Sequence, residues 1–547
     1  MRAKKWLTIG LSCSLLSGVL IGCSSSETGE SGKDKDSQDQ QILNLVLSDE
    51  LPTMDVSKAT DNLAFTLFSN VNEGLVRLDK DGKASEGLAE KWEISKDGLT
   101  YTFHLRDNIK WSNGDPVTAQ DFEYSWKRTL NPDTGAQYAF MVGWVKGGQA
   151  YNEGKGKVED VGVKALDEKT LEVKLENPLP FFIEQMAFPT FFAQNQKFVE
   201  ASGDKYGSEK DKILFNGPFT MTDWTHEQSV TLQKNDSYWD RDKVKLEQVF
   251  LQIVKDSNAA VNLYEAGQVD RTSLMRDQVD NYKGKPDYAE QPELATGYLS
   301  YNQSVKALQS AKVRQALTWA VDWETYADVI YHNGSKAPTG FTPFGTSDGQ
   351  GGEFAKNVGD LLKLKENRPK AKETLAAGLK EVGVSSFPTL KLMVDEGDAG
   401  RKSGEFIQEQ WRKNLGITVE IDPLPFKLRL QKSREHNFDI SLGVWIADYN
   451  DPMTFLDLLV TDGGINYGGW SNKEYDALIK KAQQEPDTKR RISLLQDAEK
   501  LLIQEMPIAP NNFRARAYVT KPYVKNFLWR PFAIEYDLKE TYIEGKK

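Results

Sequence analysis

The chain has 547 residues, of which 39% are hydrophobic and 27% charged, a composition typical of a globular protein too long for one core. Its formal net charge of -11 argues against a nucleic-acid partner. Its two cysteines, Cys13 and Cys23, lie in the first 23 residues, which excludes a disulfide framework or a thiolate metal cluster in the rest of the chain.

The N-terminus has the pattern of a secretory signal peptide. Basic residues precede an apolar stretch over residues 7–22, which is too short for a membrane span. The stretch ends in a sequence that looks like a lipobox, Leu20-Ile21-Gly22-Cys23. We predict a signal peptide over residues 1–22 and attachment of diacylglycerol to the sulfur of Cys23. The alternative is an ordinary cleaved signal with an incidental cysteine.

A polar segment follows the cysteine. Residues 24–40 contain no apolar side chain that could be buried, so the sequence predicts a solvated tether. About 17 flexible residues reach on the order of 20 to 25 Å, which lets a folded body move while it stays near a membrane. Residues 23–40 are therefore expected to form a lipidated, flexible tether.

A strand and a helix open the folded part of the chain. Alternating apolar residues predict a strand from Ile42 to Leu47, and apolar residues at helical spacing predict a helix from Phe65 to Val76. Further along, alternation on both sides of a Lys-Asp-Gly turn at residues 96–98 predicts a strand pair, and a helix is predicted to begin near Thr118. The pattern of these residues indicates a structural role, not a catalytic or ligand-binding one.

Three runs in the same region carry a family signature. They are Leu88-Ala89-Glu90-Lys91-Trp92, Asp97-Gly98-Leu99-Thr100-Tyr101-Thr102-Phe103-His104-Leu105-Arg106 and Trp111-Ser112-Asn113-Gly114-Asp115-Pro116-Val117-Thr118-Ala119-Gln120-Asp121-Phe122. The runs resemble the extracellular solute-binding proteins of the peptide and nickel class. This resemblance implies a hinged, two-lobed α/β fold of the periplasmic-binding-protein type, cluster C, with an extra α/β subdomain in the first lobe.

The resemblance also implies domain boundaries. The first lobe is expected to contain residues 41–73, 205–297 and 508–547. An accessory subdomain of that lobe is expected over residues 74–204, and the second lobe over residues 298–507.

Several positions take an expected role from the resemblance. In the family the loop before the first helix lines the ligand cleft, which implies a cleft position for Asn62. Tyr138 lies where the family has a tyrosine that reaches the bound peptide, and a core aromatic residue is the alternative at that position. The strand that begins the second lobe implies that Tyr298 or Tyr301 faces the cleft, and Tyr298 is the candidate.

A serine motif in the second half of the chain raises a different possibility. Residues 345–349 match Gly-x-Ser-x-Gly, with Ser347 in the centre. A hydrolase elbow needs a strand before the serine and a helix after it, whereas Pro343 precedes this motif and two glycines follow it. The sequence therefore predicts a loop, and a surface serine hydrolase remains a remote alternative.

An α/β unit follows, with a departure from the family after it. Apolar runs predict buried strands at residues 391–394 and 417–421, around a helix at residues 403–413. Many relatives then have Glu-Trp, with the tryptophan on the ligand, whereas this chain has Pro-Leu-Pro-Phe ending at Phe426, which is the candidate ligand-binding residue there. Leu442 and Ser433 replace arginines that some relatives use for the peptide carboxylate, and Arg434 is a nearby candidate.

The most informative stretch is an apolar strand that runs into a lone acid. The strand is predicted from Ile440 to Ile446, and the Asp-Pro pair at residues 451–452 ends ladder pairing, so Asp448 is expected at the strand end. A carboxylate between two aromatic rings is poorly solvated, and a cation with several N–H donors, such as an α-ammonium, stabilises it best. The alternative is a turn that caps the next helix.

This stretch resembles the Trp-x-Ala-Asp-Tyr-x-x-Pro segment of bacterial oligopeptide-binding lipoproteins, the receptors of peptide ABC importers. In that family the aspartate binds the amino terminus of the peptide, which implies this role for Asp448. Its neighbours Trp445, Ile446, Ala447 and Tyr449 are then expected to contact the ligand. Beyond this stretch, Thr488 to Glu505 is predicted to form an amphipathic helix.

The sequence favours a binding protein over an enzyme. Its four histidines are scattered, and it contains no metal-binding or phosphate-binding motif, so we expect no catalytic residue, no cofactor and no metal. The predicted protein is a monomer, anchored by lipid to the outer face of the cytoplasmic membrane, that captures an oligopeptide for the permease subunits of an ABC importer. A dipeptide, a cell-wall peptide, a pheromone, haem or a nickel chelate are alternative ligands.

Overall fold

The computed structural model of the protein describes residues 40–546. The predicted signal peptide, the lipidation site Cys23 and the tether up to residue 39 lie outside the described residues. Within residues 40–546, no helix combines the length and the apolar character needed to cross a bilayer.

The described chain contains both strands and α-helices throughout its length. The strands are β1 (Ile42–Leu47), β2 (Val76–Leu78), β3 (Ala84–Glu86), β4 (Ala89–Ile94), β5 (Thr100–Leu105), β6 (Val163–Ala165), β7 (Thr170–Lys174), β8 (Phe219–Thr225), β9 (Ser229–Lys234), β10 (Gln248–Ile253), β11 (Arg271–Leu274), β12 (Tyr288–Tyr301), β13 (Leu390–Asp395), β14 (Val419–Leu424), β15 (Ile440–Ile446), β16 (Ile508–Thr520), β17 (Val524–Lys525), β18 (Leu528–Trp529), β19 (Tyr536–Asp537) and β20 (Tyr542–Ile543). The α-helices are α1 (Asn62–Val71), α2 (Ala119–Leu130), α3 (Ala139–Val142), α4 (Gly148–Asn152), α5 (Phe182–Gln185), α6 (Gln196–Ser202), α7 (Ser257–Glu265), α8 (Arg276–Tyr282), α9 (Ala311–Trp319), α10 (Trp323–Tyr326), α11 (Phe354–Val358), α12 (Leu364–Asn367), α13 (Ala371–Glu381), α14 (Asp398–Leu415), α15 (Phe426–Arg434), α16 (Met453–Leu456), α17 (Lys473–Gln484) and α18 (Thr488–Glu505).

The first lobe is built on a four-stranded sheet in the order β1-β10-β9-β8. Strand β1 lies parallel to β10 and has the predicted bounds, with Leu43, Leu45 and Leu47 buried on one face. Because successive side chains of a strand point to opposite faces, this alternation turns one face of the sheet toward the core.

The accessory part of the first lobe is a second four-stranded sheet, β4-β5-β7-β6, with α2 packed against it. Helix α2 begins at Ala119, which confirms the predicted start near Thr118. The backbone N–H of Thr118 donates to Asp121 at 2.9 Å, and Asp121 also accepts from the indole of Trp111 at 3.2 Å. A polar cap therefore joins the helix start to the preceding loop.

A six-stranded sheet, β11-β16-β12-β15-β13-β14, joins the two lobes. Strand β12 pairs with β16 along most of its length, from Tyr288 with Val519 to Ser300 with Ile508, and its second half also pairs with β15, as at Tyr298 and Gly443. The register of β12 shifts on both sides of Gly297. Two long adjacent strands therefore join the lobes: β12 passes through the predicted boundary at residue 297, and β16 begins at the predicted boundary at residue 508.

The second lobe packs helices on the far half of this sheet. Helix α14 lies against β13 and β14, which confirms the predicted α/β unit, and the indole of its buried Trp411 donates to the carbonyl of Leu317 at 2.8 Å. Buried Arg314 of α9 donates to the carbonyls of Glu505 and Met506, where α18 ends. These bonds satisfy carbonyl groups that a helix end leaves without partners.

The chain crosses back into the first-lobe sheet at Gly217, which predicts a strong dependence of folding on this glycine. A Cβ at Gly217 would lie 2.6 Å from the backbone nitrogen of Asn72 and from the carbonyl carbon of Val71. We expect Gly217→Ala to lower the free energy of unfolding by about 1 to 3 kcal/mol, because the backbone must shift. Thermal unfolding measures this change.

Gly397 offers the matched control, because a Cβ there meets no atom within 4 Å. Gly397→Ala should change the free energy of unfolding by less than about 0.5 kcal/mol. Equal unfolding temperatures for the two variants would contradict the close packing at Gly217.

Candidate ligand-binding site

A cavity of about 520 Å³ lies between the two lobes. Its first-lobe wall contains residues from the end of β1, the start of α1, and strands β11 and β16. Its second-lobe wall contains residues from β13, α14, α15 and β15. The volume is in the range of ligand pockets, and two opposed walls can enclose a ligand from both sides.

One wall of the cavity presents an unpaired strand edge. Strand β15 pairs with β12 along its whole length, but it pairs with β13 only at Ile440 and Ser441. The backbone N–H of Ala447 donates to Leu294 of β12 at 2.8 Å. In an antiparallel ladder this alternation directs the backbone groups of residues 442, 444 and 446 away from β12. They form an edge that can accept an extended chain.

Asp448 lies just beyond the end of this edge. Its side chain is buried, with 6% of the residue exposed, and it lies in the cavity wall. The Tyr138 hydroxyl donates to Oδ1 at 3.3 Å, and the backbone N–H of Asp448 donates to the hydroxyl of Thr454 at 3.0 Å. Among residues 40–546, no Lys, Arg or His forms an ion pair with Asp448.

Two further acids stand behind Asp448, and only one of them has a cation. Arg491 donates to both carboxylate oxygens of Asp451 at 2.8 Å. Asp457 is buried, and neither of its carboxylate oxygens has a hydrogen-bond partner in the described chain. Burial and the neighbouring Asp451 raise the pKa of Asp457 well above its ordinary value. The group therefore contains more carboxylates than cations.

This excess of negative charge affects the pKa of Asp448. Burial, and after it the charge of Asp457, raise the pKa of Asp448 well above its ordinary value, and the hydrogen bond from Tyr138 opposes the shift. Removal from water disfavours the charged form unless a cation compensates. A ligand cation placed here would supply that charge.

Aromatic rings keep this end of the cavity apolar. The ring of Tyr138 lies parallel to that of Trp445, with centroids 6.1 Å apart, and meets that of Phe65 edge to face at 5.2 Å. Burial raises the pKa of Tyr138 well above its ordinary value, with Asp448 as the second cause, so its hydroxyl keeps its proton and donates. Tyr138, from the accessory part of the first lobe, thus reaches the second-lobe acid.

The structure brings most of the predicted site residues together. The cavity wall contains Asn62, Tyr138, Tyr298, Phe426, Trp445, Ile446 and Asp448. It also separates the two candidate tyrosines, since the fully buried Tyr301 bonds to Thr318 in the core.

Three predicted residues lie elsewhere. Ala447 is fully buried, with its backbone bonded to Leu294 and Ala533. Tyr449 stacks on Phe181 with ring centroids 4.5 Å apart, on the side of the strand end away from the cavity. Arg434 lines a separate depression. The structure therefore places none of these three in the wall of the cavity.

The sequence analysis missed four arginines of the cavity wall. Arg429 donates to Asp395 at 2.5 Å and lies over the ring of Phe426. Arg271, Arg514 and Arg516 form a cluster in the first-lobe wall. Arg514 and Arg516 alternate with alanine in β16, and this period of two, read as one face of a strand, is a signal that could have found them.

The serine motif has no hydrolase geometry. Ser347 lies in a loop, where its backbone N–H donates to Asn450 at 2.8 Å and the loop returns on itself to Glu353. The predicted loop is confirmed. In residues 40–546 there is also no group of three or more His, Cys, Asp or Glu side chains arranged to hold a metal ion.

Comparisons with known proteins match one family over most of the chain. The family described as bacterial extracellular solute-binding proteins, family 5, matches residues 83–467. The dipeptide-binding protein DppE of Bacillus subtilis is 36% identical, over 97% of this chain and 97% of that protein. The oligopeptide-binding protein OppA of the same organism is 36% identical, over 96% and 97%.

A solved structure resembles the whole fold. The structure of Listeria monocytogenes OppA bound to peptide superimposes with a TM-score of 0.89 at 40% identity, and covers 93% of this chain and 100% of that one.

The raised pKa predicts that Asp448 costs stability when no ligand is bound. The folded chain holds the Asp448 proton more tightly than the unfolded chain, so the free energy of unfolding falls as pH rises above about 4, the ordinary carboxyl pKa. We expect Asp448→Asn to raise the unfolding temperature of the ligand-free protein at pH 7 by roughly 1 to 3 °C, and to change it little near pH 4. Calorimetry on refolded, ligand-free protein measures both.

Asp451→Asn is the matched control, because it breaks the buried ion pair with Arg491. It should lower the free energy of unfolding at pH 7 by about 3 to 5 kcal/mol. A lower unfolding temperature for Asp448→Asn as well would contradict the lack of a cation at Asp448.

Proposed function

The chain belongs to the bacterial extracellular solute-binding proteins of family 5, and from that premise we propose that it captures oligopeptides between its two lobes and delivers them to an ABC importer. The observation that carries the proposal is Asp448, a buried carboxylate without a cation, at the end of an unpaired strand edge inside the cavity. The α-ammonium of a peptide supplies the missing charge and three N–H donors.

The strand edge supplies the rest of the binding. With its amino terminus at Asp448, an extended peptide runs back along β15 and pairs antiparallel with residues 446, 444 and 442. Main-chain hydrogen bonds of this kind do not depend on sequence, and alternate side chains point away from the edge. The receptor therefore recognises the free amino terminus and the main chain, which all unblocked peptides have in common.

The length of the edge favours an oligopeptide over the alternatives. Five strand residues, 442–446, span about 17 Å, and the cavity wall continues to Phe426 and Arg429 beyond them. A dipeptide needs less than half of this length. The relatives are named for oligopeptides and dipeptides, and one solved relative is a pheromone receptor, so peptide ligands of other lengths are the second candidates. No observation favours haem or a nickel chelate.

The proposal includes the location of the protein. A lipid on Cys23 and the polar residues up to 40 would hold the folded body at the outer face of the cytoplasmic membrane, where it meets the permease subunits as a monomer. The lipobox sequence and the family membership support this part.

The protein is proposed to bind peptide without chemistry on it. Ser347 has neither the strand nor the helix of a nucleophile elbow. We expect a labelled peptide to be recovered intact, by mass spectrometry, after prolonged incubation with the purified protein. Cleavage that is lost in Ser347→Ala would instead establish the hydrolase.

The amine anchor gives the test of the function. Asp448→Asn should weaken binding of peptides with a free amino terminus by about 2 kcal/mol or more, because the ammonium loses its buried counter-charge. N-acetylated forms of the same peptides should lose much less. Isothermal titration calorimetry on ligand-free protein measures both.

Asp395→Asn is the control, because this cavity acid already has Arg429 as its cation. It should leave the preference for a free amine unchanged. An equal loss for free and acetylated peptides in Asp448→Asn would overturn the anchor.

A further inference from the structure

The first-lobe wall of the cavity contains a cluster of three arginines. Arg514 and Arg516 lie two residues apart on β16 and therefore on one face of the strand. Arg271 lies on the adjacent strand β11, where it pairs with Thr520 of β16. All three residues are in the cavity wall.

The cluster contains one more positive charge than it has carboxylates to pair with. Glu293 accepts from Nε of Arg514 and lies 3.2 Å from Nε of Arg516, and Glu535 accepts from Arg516 Nη1 at 2.8 Å. Arg271 has no carboxylate partner in the described chain, since its guanidinium donates to neutral oxygens of Thr520 and Gln291. Three guanidinium groups thus share two carboxylates.

Donors in the same wall also lack acceptors. Nη2 of Arg514 is buried and has no hydrogen-bond partner within residues 40–546. The side-chain nitrogens of Asn511 and Asn512, each residue 1% exposed, are buried and have none either, and the same holds for the side-chain oxygen of Asn511. Burial lowers the pKa of Arg514, Glu293 opposes this, and Arg516 adds to it. An arginine keeps its charge in a protein, so the excess charge needs an anion.

We propose that Arg514, with Arg516 and Arg271, forms an anion subsite of the cleft that binds a carboxylate of the peptide. A planar guanidinium with free N–H groups matches the two oxygens of a carboxylate. The inference rests on the proposed function, because the carboxylate belongs to the captured peptide. The subsite gives a preference for acidic ligands to a site that otherwise binds peptides through their main chain and amino terminus.

The sheet places this subsite near the amine anchor. Glu293, which holds Arg514 and Arg516, precedes Leu294, and the carbonyl of Leu294 accepts from Ala447, the neighbour of Asp448. The carboxylate can therefore come from an acidic side chain near the amino terminus or from the carboxyl terminus of a short peptide. These two sources share one chemistry, and the ligands of the test separate them.

Arg429 is the competing arginine. It lies in the opposite wall with its own carboxylate, Asp395, so that pair carries no net charge. An excess of charge thus distinguishes the cluster from Arg429, which makes Arg429→Gln the matched control for Arg514→Gln.

The test uses tetrapeptides with a free amino terminus, in pairs that differ by one charge. One set exchanges Glu for Gln at each position, and the other exchanges the terminal carboxylate for an amide. Titration calorimetry on the wild type should show roughly 10-fold tighter binding of the charged member of at least one pair. Arg514→Gln should remove this preference by weakening binding of the charged member much more than binding of the neutral member, whereas Arg429→Gln should keep the preference.

The outcomes separate the inference from the function. Binding of neutral peptides without any acid preference in the wild type overturns the subsite alone, and this measurement needs no variant to fold. Loss of the preference in Arg429→Gln and not in Arg514→Gln also overturns it. If no free-amine peptide binds the wild type, the proposed function fails and the subsite with it. Retained binding of the neutral peptide shows that Arg514→Gln is folded.

Discussion

A carboxylate without a cation of its own is the constraint on which the cleft depends. Arg491 donates to both carboxylate oxygens of Asp451, and among residues 40–546 neither Asp448 nor Asp457 has an ion-pair partner. Aromatic rings and burial keep water from solvating Asp448. The buried, unpaired carboxylate therefore destabilises the unliganded protein. A ligand ammonium removes this destabilisation, which adds to the free energy of binding.

The two long strands relate this acid to the rest of the site. Strand β12 pairs on one side with β15, which carries the free edge and ends at Asp448, and on the other side with β16, which carries the arginine cluster. The acid and the arginine cluster thus both depend on pairing with one strand, β12. The strands β12 and β16 also join the two lobes.

Local signals in the sequence were sufficient for the scaffold and for part of the site. Strand β15, helix α18 and the start of α2 follow from periodicity and capping, which neighbouring residues determine. The helix predicted over residues 65–76 ends at Val71 instead, because Glu73 joins a buried network with Tyr238 and Trp239. That network forms only when distant segments meet, so no local pattern reveals it.

The same distinction explains the site residues. Asp448, Tyr138 and Trp445 came from a family resemblance, and they meet in the wall, whereas Tyr449 turns to Phe181 because successive residues beyond a strand end point in different directions. The arginine cluster depends on Glu293 and Glu535, which lie 221 residues before Arg514 and 19 residues after Arg516. Excess charge is a property of the assembled group, and it becomes visible only when every partner has been counted. On the proposed function, the cleft then binds charged groups of a peptide at two places, Asp448 and the arginine cluster, and makes no specific contact with the other side chains.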